Sequence, residues 1–133
     1  MNEDINPDFE TPPVDLPELV AFAGSIAPGS QLIEIPCSSN PYPYGNCYWN
    51  AVYEAESIGG SVKHGWLYHY WPGQVIEAQH HAVVEHQDGT LIDATDKYPC
   101  VKDRARSVFL PDDSIPIDLR CPVYSIQTIP DHR

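Results

Sequence analysis

Three side chains of the 133-residue chain have the types and the order that cysteine-dependent acyl transfer requires: Cys47, His81 and Asp93. In such chemistry a thiolate attacks a carbonyl carbon, an imidazole moves the protons, and a carboxylate fixes the imidazole tautomer. Cys47 opens the run C-Y-W-N-A-V-Y-E-A-E-S-I-G-G, in which Tyr48, Ala51, Val52, Ala55 and Ile58 recur at helical spacing and Gly59-Gly60 provides a helix end. A sulfur at a helix N-terminus lies beside unpaired N–H groups and the positive end of the helix dipole, and both favour thiolate over thiol. Taken alone, Cys47 is equally well read as a buried cysteine that begins a helix by chance.

The choice of base rests on a hairpin. Val75 to His86 and Thr90 to Thr95 read as strands around Gln87-Asp88-Gly89. A three-residue loop, with Gly89 at positive φ, sets Val83 opposite Asp93 and puts His81 on the face of Asp93, on the diagonal. A two-residue Asp88-Gly89 loop slips the register by one and puts His80 there instead. The polar residue before Asp88-Gly89 suits the longer loop, which selects His81. The Cys47 backbone N–H is one oxyanion donor, and Asn40, Tyr44 and Asn46, just upstream, are candidates for oxyanion or substrate contacts. His64 and His69 on the preceding strand are expected to face solvent.

These residues need elements to hold them. The helix of Cys47 spans about 47–58, followed by a strand from Ser61 to Trp71 that closes at Pro72-Gly73. Upstream, Leu16, Leu19, Val20, Ala23 and Ile26 predict a short helix over 16–26 capped by Asp15. Gln31 to Ile35 reads as a brief strand, and residues 36–45 as a proline-stiffened loop that delivers Cys47. Ser107 to Leu110 and Ile115 to Leu119 are weak strand signals among prolines. The expected architecture is α+β, with the nucleophile-bearing helix packed against a small antiparallel β-sheet. Residues 1–13, with three prolines and four carboxylates, read as a flexible acidic arm, and 14–133 as a single domain.

Composition narrows the partners. The chain is 42% hydrophobic and 20% charged, ordinary for a folded unit, with a net charge of −12. Residues 1–62 hold nine Asp and Glu and no Lys or Arg. Such a surface repels phosphate backbones, so nucleic acid is not an expected partner, and a basic protein or cationic substrate suits it better. The acidic N-terminus has no signal-peptide pattern and no run approaches the roughly 18 apolar residues of a membrane span, so a cytoplasmic protein without membrane contact is expected. Cys37, Cys47, Cys100 and Cys121 contain no C-x-x-C pair and are expected to be free thiols, Cys100 and Cys121 as buried hydrophobes. No metal or cofactor is called for. Zinc held by Cys47, His80 or His81 and a carboxylate is a separate reading.

The run G-N-C-Y-W-N-A-V-Y-E-A-E-S-I-G-G-S-V-K-H-G-W resembles the nucleophile helix of the transglutaminase-like superfamily, in which Gly-x-Cys opens a helix and Gly-aromatic follows on the next strand. H-A-V-V-E with L-I-D-A-T is similar to that superfamily's H-A-W-V-E and L-D-P-T strands; here Val83 replaces the aromatic. Papain-like peptidases share the arrangement more distantly. The resemblance implies Cys47, His81 and Asp93 as a triad in family order. It also implies a cysteine hydrolase or acyltransferase of amidase, peptidase, deamidase or transglutaminase type, acting on a peptide, a glutamine side chain or a small amide. The alternative is a non-catalytic protein- or ligand-binding module that keeps the fold and uses the aromatic loop of Tyr42 to Tyr44.

Overall fold

The computed structural model describes residues 9–97, 99, 101–114 and 125–128, the last four by their backbone. Helix α1 (Pro17–Ile26) starts with proline at its first turn, where no intrahelical N–H is required, and Leu16 rather than Asp15 holds the N-cap position. Helix α2 (Cys47–Ile58) stops where Gly59 adopts φ 70°, a left-handed conformation open to glycine. The strands are β1 (Ile33–Tyr42), β2 (Ser61–Trp71), β3 (Val75–Glu85), β4 (Leu91–Thr95), β5 (Arg106–Pro111) and β6 (Ser125–Thr128). Among the described residues no helix is long and apolar enough to cross a membrane.

The strands pair in the order β2-β5-β1-β4-β3, and β3 pairs back onto β2 along its whole length. This closes a five-stranded barrel, with β6 added to β3 outside it. The expectation of a helix on a small antiparallel sheet is therefore overturned: among the described residues strand outweighs helix in a closed barrel, the two helices are short, and β1 runs parallel to β4. Closure also needs β1 and β5, which read in the sequence as a brief strand at Gln31 to Ile35 and a weak signal at Ser107 to Leu110. Strand β1 does not stop at Ile35 but continues to Tyr42 through the segment expected to be a loop. Its prolines are accommodated at specific places. Pro36 is the last residue in register with β5, and Pro41 falls in the irregular stretch between Cys37 and Tyr42, where a strand tolerates a missing N–H.

Alternation along the strands divides the core in two. Ile35, Val83 and Phe109, with Ile33 and Leu91, fill the barrel. On the outside, Leu19 and Ala23 of α1 cover Trp66, Tyr68, Ile76, Ala78, Val108 and Leu110, while Ala51 and Ala55 of α2 cover Ala82, Val84 and Ala94. Even-numbered residues of β3 thus lie under the helices and odd-numbered ones point into the barrel, as a period of two demands. Gly65 permits the close approach of β2 and β5, because a Cβ there would stand 2.1 Å from the Leu110 carbonyl oxygen. Residues 9–12, expected in the arm, dock on the barrel: Glu10 and Tyr70 exchange two backbone hydrogen bonds of 2.8 Å, and Thr11 and Pro12 are buried. Residues 1–8 of the arm, the strand expected at Ile115 to Leu119, Cys100 and Cys121 lie outside the described residues.

Candidate active site

One edge of β3 is filled by β2. On the other edge, β6 pairs with Ile76 to Gln79 and β4 with Val84 and Glu85, so residues 80–83 have no strand beside them among those described. The first turn of α2 is set against this gap. The Ala82 N–H and the His81 ring stand close enough to the Cys47 sulfur to stabilise its charged form.

The hairpin places the other two groups. The His86 N–H donates to Thr90 O at 2.8 Å, the Gly89 N–H to His86 O at 2.9 Å, and Gly89 has φ 89°, so the loop is the three residues Gln87-Asp88-Gly89. With Val84 opposite Ile92, His81 and Asp93 share the interior face. His81 Nε2 lies 2.9 Å from Asp93 Oδ1, which leaves Nδ1 as the nitrogen that serves the sulfur. His80 points outward, with Nδ1 2.7 Å from the Tyr48 hydroxyl and its ring on the edge of Trp66.

Asp93, with no exposed surface, is held by more than His81. Ser107 Oγ donates to its Oδ2 at 2.7 Å, the Thr95 N–H approaches Oδ1 at 3.3 Å, and buried Lys97 Nζ donates to Ser107 Oγ at 2.8 Å. Cys37 Sγ lies 3.3 Å from the same Ser107 oxygen. Cys37 and Cys47 are both free thiols.

The electrostatics favour an ion pair between sulfur and ring. Burial pushes the Cys47 thiol up, but the His81 charge and hydrogen bonds from His81 and Ala82 outweigh it and hold the thiol below its ordinary range. Burial opposes charge on His81 too, yet the Asp93 and Cys47 charges and hydrogen bonds raise it from 6.5 to about 10. Asp93 is pushed up by burial and brought below the usual carboxylate range by His81, Lys97 and Ser107. Burial raises Cys37, so the second thiol is disposed to stay protonated.

A narrow cleft opens beside Cys47 and His81, and its walls include Tyr44, Cys47, His69, Gln79, His81 and Lys97. Of the three upstream candidates, Tyr44 lines this cleft. Asn46 is exposed at the N-cap of α2, in a shallow groove with Trp49 and Tyr53, and Asn40 is exposed on β1 beside Tyr42 and Glu54; neither reaches the cleft. Among the described residues no group of three or more His, Cys, Asp or Glu stands as a metal site.

Sequence reasoning did not find His69, Gln79, Lys97 or Ser107. Gln79 shares the His81 face by simple alternation. His69 was expected in solvent but is 2% exposed inside the barrel, and a hairpin around Pro72-Gly73 that pairs His69 with Glu77 was the signal for it. No local pattern ties Lys97 or Ser107 to the triad. Compared with protein-family models, curated proteins and solved structures, the chain matches none.

Proposed function

We propose that the chain is a cysteine-dependent hydrolase or acyltransferase acting on an amide bond. The observation that carries this reading is the placement of Cys47 beside His81, whose other ring nitrogen is hydrogen bonded to Asp93, on the wall of a cleft. The resemblance of the segment around Cys47 to the transglutaminase-like superfamily supports the same chemistry. In the first step the Cys47 thiolate forms a bond to the carbonyl carbon, and the π electrons move to the oxygen. The Cys47 backbone N–H is one donor for that oxyanion, and the Tyr44 and Gln79 side chains, which line the same cleft, are candidates for the second. As the oxyanion collapses, the C–N bond breaks and its electron pair takes the proton from His81, releasing an amine and leaving a thioester. His81, now neutral, removes a proton from water or an incoming amine, which attacks the thioester and frees the sulfur. Asp93 keeps the ring oriented with Nδ1 toward the sulfur through both steps.

Alkylation by iodoacetamide tests the reading. Cys47 is expected to react at pH 6 much faster than Cys37, and Cys47→Ala is expected to fold normally while losing all turnover of amide and activated ester substrates. Equal reactivity of the two thiols at that pH, or undiminished turnover by the variant, would refute it. A second reading, a binding module, draws on the exposed Trp49, Val52 and Tyr53 of α2. It predicts no contrast between the thiols.

A further inference from the structure

One wall of the cleft includes a histidine, His69, that the acyl-transfer chemistry does not use. His69 and Glu77 are ladder partners on β2 and β3, and His69 Nδ1 lies 3.4 Å from Glu77 Oε1. The ring is 2% exposed, lines the cleft, and has no hydrogen-bond partner at Nε2 among the described residues. A carboxylate only accepts, so Nδ1 carries the proton of the neutral ring and Nε2 presents a bare lone pair. Burial favours that neutral form. A buried acceptor without a donor is costly, and a ligand that supplies the donor removes the cost.

Lys97 supplies the complement. Lys97 lines the same cleft, and of the three protons on its ammonium Ser107 accepts one. One acceptor and one cationic donor match the N–H and the oxygen of an amide group. That group is not the scissile one. Glu77, opposite His69, stands four positions along β3 from His81, roughly 13 Å at about 3.3 Å per residue.

We infer that His69, with Lys97, forms a specificity subsite for a second amide group on the acyl part of the substrate, its N–H donating to His69 Nε2 and its oxygen accepting from Lys97. The substrate class is then a molecule with two amide groups separated by a short chain, such as a carboxamide side chain joined to a peptide bond. An ester at the far end cannot supply the N–H and sets its oxygens against the His69 lone pair. The inference rests on Cys47 being the reactive thiol of this cleft.

Protection of Cys47 from iodoacetamide tests it without requiring turnover. The probes are the diamides from butanediamide to heptanediamide and the matching dimethyl diesters. At the best chain length the diamide is expected to protect at about one-tenth the concentration of its diester, the effect of one well-made hydrogen bond. In His69→Phe, which keeps a ring and loses the acceptor, the two are expected to protect alike. In His69→Gln, whose carbonyl oxygen reaches a similar place, the preference is expected to return. Equal protection by amide and ester in the native chain, no protection by either, or an undiminished preference in a folded His69→Phe variant would overturn the subsite. Slow alkylation of Cys47 without any ligand counts instead against the acyl-transfer reading, so the two failures are distinguishable.

Discussion

Asp93→Asn isolates the charge of the carboxylate from its shape. The asparagine carbonyl oxygen can still accept the His81 Nε2–H, so the ring stays in place while the negative charge is lost. Opposite unit charges about 4 Å apart in an effective dielectric near 20 attract by about 4 kcal/mol. That equals about three pKa units, a large part of what lifts His81 from 6.5 to about 10 against its burial, with Cys47 contributing the rest. Without the carboxylate the imidazolium is poorly held and its proton returns to the sulfur. Asp93 also acts on Cys47 directly, raising it by repulsion, but that is the weakest of the influences on the thiol. The loss of the adjacent imidazolium therefore wins, and the pH at which Cys47 becomes reactive is expected to climb by about one unit or more. Below its pKa a thiol loses about tenfold in thiolate per unit, so alkylation at pH 6 is expected to fall by about tenfold while the plateau at high pH is retained. The assay is the pseudo-first-order rate of iodoacetamide modification of Cys47 from pH 5 to 10, read by mass spectrometry on protein with unchanged near-ultraviolet circular dichroism. A profile superimposable on that of the native chain would show that Asp93 does not set the charge state of the pair.

Two further outcomes concern the frame of the site. Gly65→Ala puts a Cβ within 2.1 Å of the Leu110 carbonyl oxygen and forces β2 from β5 opposite His81; a loss of about 3 kcal/mol in urea unfolding is expected, and an unchanged midpoint would argue against the closed barrel. His80, buried and brought down to about 4, takes up its proton in the unfolded chain near 6.5 but not in the folded one, so stability is retained above that range and falls as pH drops from 6.5 to 4. About 2.5 units correspond to about 3 kcal/mol, and His80→Phe is expected to flatten the fall in denaturant titrations across this window; an equally steep fall would exclude His80 as its cause.

The parts of the chain legible from sequence are those fixed by neighbours in the chain. Helix α2 runs from Cys47 to Ile58 because its apolar stripe and Gly59 are local signals, and the register that joins His81 to Asp93 follows from Gln87-Asp88-Gly89 alone. Barrel closure is not local. It depends on β1 reaching β4 and β5, and the prolines at 36 and 41 read as a loop because a sequence does not announce which ladder positions lack an N–H to lose. The same limit hid Lys97 and Ser107. Ser107 meets Asp93 because β1 brings β5 and β4 to its two edges, a juxtaposition with no sequence period behind it.

Closure of the barrel and activation of the sulfur are linked through Ala82. Around the barrel, strand pairing consumes main-chain donors, and a sixth strand continuing along residues 80–83 of β3 would take the Ala82 N–H as well. The gap between β4 and β6 instead leaves that N–H to the Cys47 sulfur, at the end of α2 where the helix dipole is positive. A sulfur buried to 6% exposure needs several donors to offset the desolvation of its charged form, and here they come from a helix start, a strand edge and a ring inside the barrel. Sliding α2 by one full turn would keep its apolar stripe near Ala82 and Val84 but carry the sulfur about 5.4 Å from the gap. The position of Cys47 is thus fixed by the strand edge it completes as much as by the histidine it serves.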